Sequence, residues 1–157
     1  MSTSSSGGPP PEAGYFGRFG GFEHDESASL VEEFDRLALH QSWSSKSKRY
    51  RQEKQKCFAE EFHRHYGKDT NKLSNWQHLC REVGIEPQKS ITQCKRMLSK
   101  VAVNIVDLVD HRRTGSAVQQ FASKARLRRY SITTGKIFSK KNAKEDGYLS
   151  ALLIQMF

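Results

Sequence analysis

Long apolar runs are missing from this sequence. Hydrophobic residues make up 36% of it and mean hydropathy is −0.74, and no stretch approaches the roughly 20 apolar residues of a membrane-spanning helix. The first residues contain neither the basic nor the apolar region of a secretory signal, and Ser2 stands where myristoylation requires glycine. We therefore expect no membrane partner and an intracellular location.

Cysteine is scarce. The three residues Cys57, Cys80 and Cys94 are widely spaced and form no C-x-x-C motif. An odd, scattered set of this kind is not a disulfide framework. In an intracellular protein such cysteines are ordinarily reduced, so we expect partly buried free thiols.

Recognisable catalytic and metal-binding motifs are lacking as well. There is no nucleophile elbow and no glycine-rich phosphate loop after a strand. His63 and His65 lie two residues apart, as do His78 and Cys80, and on a helix such positions point about 200° away from each other. We therefore predict no metal site, no cofactor and no enzymatic activity.

Acidic residues are absent from residues 111–144, which we call the basic segment. The chain has a net charge of +9, and the basic segment holds ten cations: Arg112, Arg113, Lys124, Arg126, Arg128, Arg129, Lys136, Lys140, Lys141 and Lys144. Residues 1–110 are nearly neutral by comparison, with 16 Lys/Arg against 15 Asp/Glu. The positive charge is thus a local feature, which favours a polyanionic partner.

Nucleic acid is the polyanion that this segment fits best, because phosphate contacts release counterions. The predicted contact residues are Arg112, Arg113, Lys124, Arg126, Arg128, Arg129, Tyr130, Lys136, Lys140 and Lys141. Tyr130 or Phe138 would stack on a base. A helical projection separates Arg126 from Lys124 and Arg128 and places Arg129 on an apolar face, so no continuous stripe is expected. A solvated surface, or a patch for an acidic protein partner, remains the alternative.

The N-terminal residues 1–26 are rich in Ser, Gly and Pro. Their aromatic residues stand among glycines without helical or strand periodicity: Tyr15, Phe16, Phe19 and Phe22. Such a composition buries too little apolar surface to offset the entropy of ordering. We predict a disordered tail, with an adhesive contact motif as the alternative.

Residues 27–157 read as one all-α domain, a compact bundle of about six to seven short helices. Apolar periodicity predicts helices at 29–40, 44–66, 75–83, 91–100, 105–113, 117–130 and 146–156. Four capping boxes indicate helix starts: Ser29/Glu32, Ser74/Gln77, Ser90/Gln93 and Ser116/Gln119. The apolar spacing from Ile91 to Leu108 would also suit one long helix, but Asn104 could cap a new helix, so we favour a break near residues 101–104. Gly67, Gly84, Gly115 and Gly135 indicate helix ends.

Two further patterns bear weakly on function. Residues 76–84 and 90–98 outline a helix–turn–helix whose second helix offers Thr92, Gln93, Lys95 and Arg96, although the linker exceeds the usual three to four residues. An ordinary packed helix pair explains the pattern equally simply. The clusters at 46–51 and 124–129 are typical of nuclear import signals, which favours the nucleus over the cytoplasm.

Short runs along the chain carry a resemblance to a known family. They are Phe34-Asp-Arg-Leu-Ala, Lys48-Arg-Tyr-Arg, Ser90-Ile-Thr-Gln-Cys-Lys-Arg-Met-Leu, Val103-Asn-Ile-Val-Asp-Leu-Val-Asp and Arg112-Arg-Thr-Gly. With them, residues 34–157 resemble a family of small, uncharacterised proteins from filamentous fungi. The resemblance implies an ordered domain behind a variable tail, and it implies no activity, cofactor or site.

Overall fold

The computed structural model describes residues 14–67, 69–138 and Leu152. Their regular elements are a 3₁₀ turn at Tyr15–Arg18 and six α-helices: α1 (Leu30–His40), α2 (Lys48–Tyr66), α3 (Leu73–Glu82), α4 (Ile91–Leu98), α5 (Ile105–Thr114) and α6 (Lys124–Thr134). These residues include no β-strand, which confirms the predicted all-α class. The predicted helix at 146–156 lies outside the described residues, apart from the buried Leu152.

Side chains at the predicted positions begin several helices. The Ser29 hydroxyl accepts a hydrogen bond from the Glu32 N–H at 3.4 Å and therefore caps α1. The Glu32 carboxylate accepts from the Ser29 hydroxyl at 2.9 Å and not from its backbone N–H, so the reciprocal bond of a capping box is not the one formed. The Ser90 hydroxyl likewise accepts from the Gln93 N–H at 3.2 Å. Ser74, in contrast, lies inside α3, whose cap residue Lys72 makes no side-chain capping bond. The second of the four predicted starts is therefore wrong.

The start of α6 also differs from the prediction. Ser116 is not helical, and α6 begins only after Ser123, whose hydroxyl accepts from the Arg126 N–H at 3.2 Å. The Phe121 N–H donates instead to the Ala102 carbonyl at 2.8 Å. This tertiary hydrogen bond holds the segment before α6 outside the helix, so the helix predicted at 117–130 runs over 124–134.

The helix ends follow the predicted glycines. Gly115 and Gly135 have φ of 80° and 72° and are the C-terminal caps of α5 and α6. Their left-handed backbone is costly for residues with a Cβ. Gly67 caps α2 and Gly84 directly follows the cap of α3, so all four predicted stops are confirmed.

Helix α5 forms the centre of the fold and packs against α1 and α2. Asn104 starts it, because its side-chain oxygen accepts from the N–H groups of Val106 and Asp107 at 2.8 and 3.2 Å. The Asn104 amide also donates to Ser131 in α6 at 2.9 Å. The predicted break before residue 105 is thus confirmed, and the same residue fixes α6 to the central helix.

Residues 14–26, which we call the aromatic segment, are folded against the helices with their aromatic rings in or against the core, so the predicted disorder of this part is wrong. Tyr15 and Phe16 are 0% and 1% exposed, and Phe19 and Phe22 pack against the same core. The Tyr15 hydroxyl donates to Glu53 at 2.6 Å and its N–H donates to Glu61 at 3.0 Å. Buried carboxylates of α2 therefore satisfy the polar groups that accompany these rings into the interior. Residues 1–13 of the predicted tail lie outside the described residues.

None of the helices in the described ranges combines the length and the hydropathy needed to cross a bilayer.

Candidate nucleic-acid interface

Helix α6 presents four cations to solvent. Lys124, Arg126, Arg128 and Arg129 are all exposed, while the helix buries only Leu127 and Ser131. Because the buried face is so narrow, the cations spread over most of the remaining circumference. The expected apolar position of Arg129 is wrong, since Val118 and Phe121 precede the helix and do not share a helical face with it.

The positive charge of α6 is not neutralised locally. Across residues 14–67 and 69–138, no carboxylate lies within 4.0 Å of the four cations. The first turn of α6 contains no acidic residue either. These side chains can therefore meet external phosphates without first breaking an ion pair in this part of the molecule.

Arg113 is a structural residue. Its side chain is 1% exposed, and its Nη1 lies 3.5 Å from Oε1 of Glu61. The guanidinium also donates to the carbonyls of Ala28 and Asp25, both at 2.8 Å. Its predicted role in nucleic-acid contact is wrong, because every described partner is internal and the group has almost no access to solvent.

Arg112 is committed to a second internal cluster. Its guanidinium stacks over the Tyr66 ring, 4.6 Å from the centroid, pairs with Glu82 and donates to the His65 carbonyl at 3.2 Å. Burial alone would raise the pKa of Glu82, but the hydrogen bond and charge of Arg112 hold it below its ordinary value. Arg112 thus serves mainly to join α5 to α2 and α3.

Lys136 and Tyr130 form a third internal cluster with Asp107. The Lys136 ammonium donates to Asp107 at 2.7 Å and to the Tyr130 hydroxyl at 2.8 Å, and that hydroxyl donates to Asp107 at 3.0 Å. Burial alone would lower the pKa of Lys136, but these hydrogen bonds raise it above its ordinary value. Lys136 is therefore charged but neutralised. Its ammonium also lies 5.1 Å from the centroid of the Tyr130 ring, so an external ligand can meet only the exposed part of that ring.

The remaining predicted positions are Lys140, Lys141 and Phe138. Lys140 and Lys141 belong to the residues that the structure does not describe, together with Lys144. Phe138 is 1% exposed, so the suggestion that it stacks on a base is wrong. The described interface consequently narrows to the four cations of α6 and the ring of Tyr130.

Two grooves flank α6, and Arg129 lines both. The first, of about 560 Å³, contains Lys124, Arg128 and the exposed Ile132. The second, of about 600 Å³, lies between α6 and the segment that precedes it, and we call it the Phe121 groove; its lining includes Gln119, Gln120, Phe121, Arg126, Arg129 and Tyr130. The cations of α6 therefore line two adjoining grooves and do not form one continuous stripe.

The Phe121 groove contains two neighbouring aromatic rings, those of Phe121 and Tyr130, which we call its aromatic floor. Their proximity was not predicted from the sequence. The rings of Phe121 and Tyr130 lie 4.8 Å apart at 40°, and both side chains are partly exposed. Residues 117–130 were expected to form one helix, in which positions nine apart point in opposite directions. Only the non-helical backbone before Ser123 brings Phe121 beside Tyr130, and the capping pattern at Ser116 favoured an earlier helix start.

The helix–turn–helix interpretation receives limited support. Helices α3 and α4 pack against each other, and α4 exposes the four side chains named for base recognition: Thr92, Gln93, Lys95 and Arg96. The connection, however, runs over residues 83–90, which is longer than the three- to four-residue turn of that motif. Lys95 also lies 5.3 Å from the Trp76 ring centroid. Because of this long connection, we describe α3 and α4 as an ordinary helical hairpin.

The cysteines and histidines contribute no site in the described ranges. Cys57, Cys80 and Cys94 are buried and unpaired, and burial raises the pKa of Cys57 well above its ordinary value. Among the described residues, no three His, Cys, Asp or Glu side chains are grouped closely enough to hold a metal ion.

Comparisons of the chain with protein-family models, with curated proteins and with solved structures find no match. The resemblance to a fungal family stays a prediction.

Proposed function

We propose that this protein binds nucleic acid, DNA or RNA, through the exposed cations of α6, as a non-enzymatic nuclear protein. The observation that carries the proposal is a set of four cations on one helix with no carboxylate within 4.0 Å in the described part of the chain. Such a surface gains binding energy mainly by releasing the counterions condensed on phosphates.

Fewer cations are available for binding than the composition of the basic segment suggested. Arg112, Arg113 and Lys136 stabilise the fold through Glu82, Glu61 and Asp107. The remaining described cations of the basic segment project from α6 alone. Binding should therefore depend on α6 and not on the net charge of the whole segment.

The test is a titration of fluorescently labelled oligonucleotides, followed by anisotropy, at about 50 mM and about 200 mM salt. Wild-type protein should bind at the lower concentration and weaken steeply at the higher. Arg128→Gln should weaken binding and reduce the salt slope by about one. Arg81→Gln is the matched control, because Arg81 is exposed on α3 and outside the proposed interface, and it should behave like wild type. Absence of binding at low salt, or binding without salt dependence, would refute the proposal.

An acidic protein partner is the second candidate. Ile132 is 59% exposed beside Lys124 and Arg128 in the first groove, and a mixed apolar and basic surface is typical of protein interfaces. Material that co-purifies with the protein separates the candidates. Absorbance at 260 nm that nuclease removes favours nucleic acid, whereas a stoichiometric acidic protein favours an adaptor.

Nuclear residence rests on the basic cluster at residues 46–51. Lys46, Lys48, Arg49 and Arg51 are all exposed around the start of α2, where an import receptor could reach them. A fluorescent fusion should accumulate in the nucleus, and replacement of Lys48 and Arg49 by Gln should reduce that accumulation. Uniform distribution of the wild-type fusion would count against this part of the proposal.

A further inference from the structure

We infer that the Phe121 groove takes an unpaired base of a single-stranded nucleic acid. The inference rests on the proposed function and adds to it the form of the ligand. Its physical basis is that two aromatic rings, two arginines and a side-chain amide line one groove.

The groove has the size and floor for one nucleobase with its sugar. Its volume is about 600 Å³, within the range of about 300–1,000 Å³ that is usual for ligand sites. The rings of Phe121 and Tyr130 both line it, with centroids 4.8 Å apart. Because the Tyr130 hydroxyl is already bonded to Asp107 at 3.0 Å, the tyrosine offers its ring and not its polar tip, which favours stacking.

Two arginines of the lining supply the positive charge that a nucleic-acid backbone needs. Arg126 and Arg129 are three positions apart on α6, so they project from neighbouring points of the same surface. Both are exposed and both line the groove. A base on the aromatic floor would place its flanking phosphates near these guanidinium groups, which bind phosphate oxygens with two hydrogen bonds each.

Gln119 supplies polar groups for the base edge. Its side chain is exposed, and it makes no hydrogen bond to any other residue of the described ranges. The neighbouring Gln120 donates to the Val83 carbonyl, which holds this wall of the groove in place. A side-chain amide both donates and accepts, so it can pair with any base edge.

A duplex cannot use this site fully. Its bases are already stacked and paired, and only their groove edges are accessible, whereas a single strand can turn a base onto an aromatic side chain. The α6 cations would hold both forms through phosphates. The aromatic floor should add affinity for the single strand alone, by about tenfold for one stacked base.

The experiment compares single-stranded and duplex oligonucleotides of equal length against wild type, Phe121→Leu and Leu39→Ala. Leucine keeps an apolar side chain where Phe121 packs, and Leu39, 82% exposed on α1, is the control. Wild type should prefer the single strand. Phe121→Leu should lose about tenfold for the single strand and nothing for the duplex, and Leu39→Ala should match wild type.

Equal loss for both ligands, no loss for either, or a preference for duplex would overturn the inference while leaving the proposed function standing. No binding of either ligand at low salt would remove the proposed function as well. Photocrosslinking of wild type with a 5-bromouridine oligonucleotide gives a readout that does not depend on the folding of a variant. Crosslinks should map to Phe121 or Tyr130, and crosslinks confined to α4 or α2 would contradict the inference.

Discussion

Arg113 and Glu61 form an ion pair inside the protein, with 3.5 Å between Nη1 and Oε1 and with side chains 1% and 0% exposed. The same carboxylate accepts the Tyr15 N–H at 3.0 Å and pairs with Arg64 at 3.1 Å. One buried group therefore joins α5, α2 and the aromatic segment. A cation that the sequence assigned to an external ligand is part of the internal framework.

Replacement of Arg113 should destabilise the fold strongly. Arg113→Met leaves Glu61 buried with less compensating charge, which should lower the free energy of unfolding by about 3–5 kcal/mol. Arg128→Met is the matched control, and as an exposed substitution it should stay within about 0.5 kcal/mol of wild type. Urea unfolding followed by circular dichroism measures both, and equal midpoints for the two variants would contradict the assignment.

Gly14 should be intolerant of any side chain. Its φ of 62° belongs to the region that favours glycine, and a Cβ there would overlap Oε2 of Glu61 and approach Cδ of Arg64 to 2.7 Å. Gly14→Ala should therefore destabilise the protein by about 1–3 kcal/mol. At Gly20 a Cβ meets nothing within 4 Å, so Gly20→Ala should be nearly neutral. The reverse order of melting temperatures would show that the aromatic segment is not docked as described.

The protein should lose stability on mild acidification. Burial and the charge of Arg113, whose Nη1 lies 3.2 Å from Nε2 of His24, lower the pKa of His24 below 6.5; burial also lowers the pKa of His65. A pKa lower in the folded state contributes stability that is present above about pH 6.5 and is lost as pH falls through the folded value.

The free energy of unfolding, measured in urea, should thus decrease between about pH 7.5 and about pH 5.5. His24→Gln should show a smaller decrease, and the part due to His65 should remain. A stability that rises over this interval, or a slope unchanged in His24→Gln, would be inconsistent with the buried position of His24.

Substitutions of Lys136 and Lys124 should affect different properties, stability for the first and nucleic-acid binding for the second, although both residues are cations of the basic segment. Lys136→Ala removes hydrogen bonds to Asp107 and Tyr130 and should cost about 1–3 kcal/mol of stability with little change in the salt slope of binding. Lys124→Ala should leave stability near wild type and reduce the salt slope by about one. Thermal melting and anisotropy titrations on the same preparations separate the two effects, which would coincide if both lysines contacted phosphate.

Several helix boundaries could be predicted from local signals, although the local pattern at Ser74 does not start a helix. Ser29, Ser90 and Asn104 cap helices through amides two or three residues away, and the four glycines follow helix ends. The start of α6 could not be predicted, because Ser116 and Ser123 are both suitable caps. The hydrogen bond from Phe121 to Ala102 decides between them, and that partner is remote in sequence.

The placement of the aromatic segment and of the candidate site could not be predicted, because both depend on contacts between residues that are far apart in the sequence. Tyr15 meets Glu53 and Glu61, which lie 38 and 46 residues further along the chain. The Lys136–Asp107 contact spans 29 residues. Composition locates charge along the chain but does not show which carboxylates fold against it, so it could not separate the exposed cations of α6 from the buried ones.

The most direct test of the account is the salt dependence of binding by a variant with all four α6 cations changed to glutamine. These are Lys124, Arg126, Arg128 and Arg129, and the substitutions should leave the melting temperature unchanged. For wild type on a duplex, four phosphate contacts predict a slope of log affinity against log salt of about −3 to −4, and the variant should approach zero with affinity largely lost. A folded variant that binds with the slope and affinity of wild type would contradict the assignment of the interface to α6.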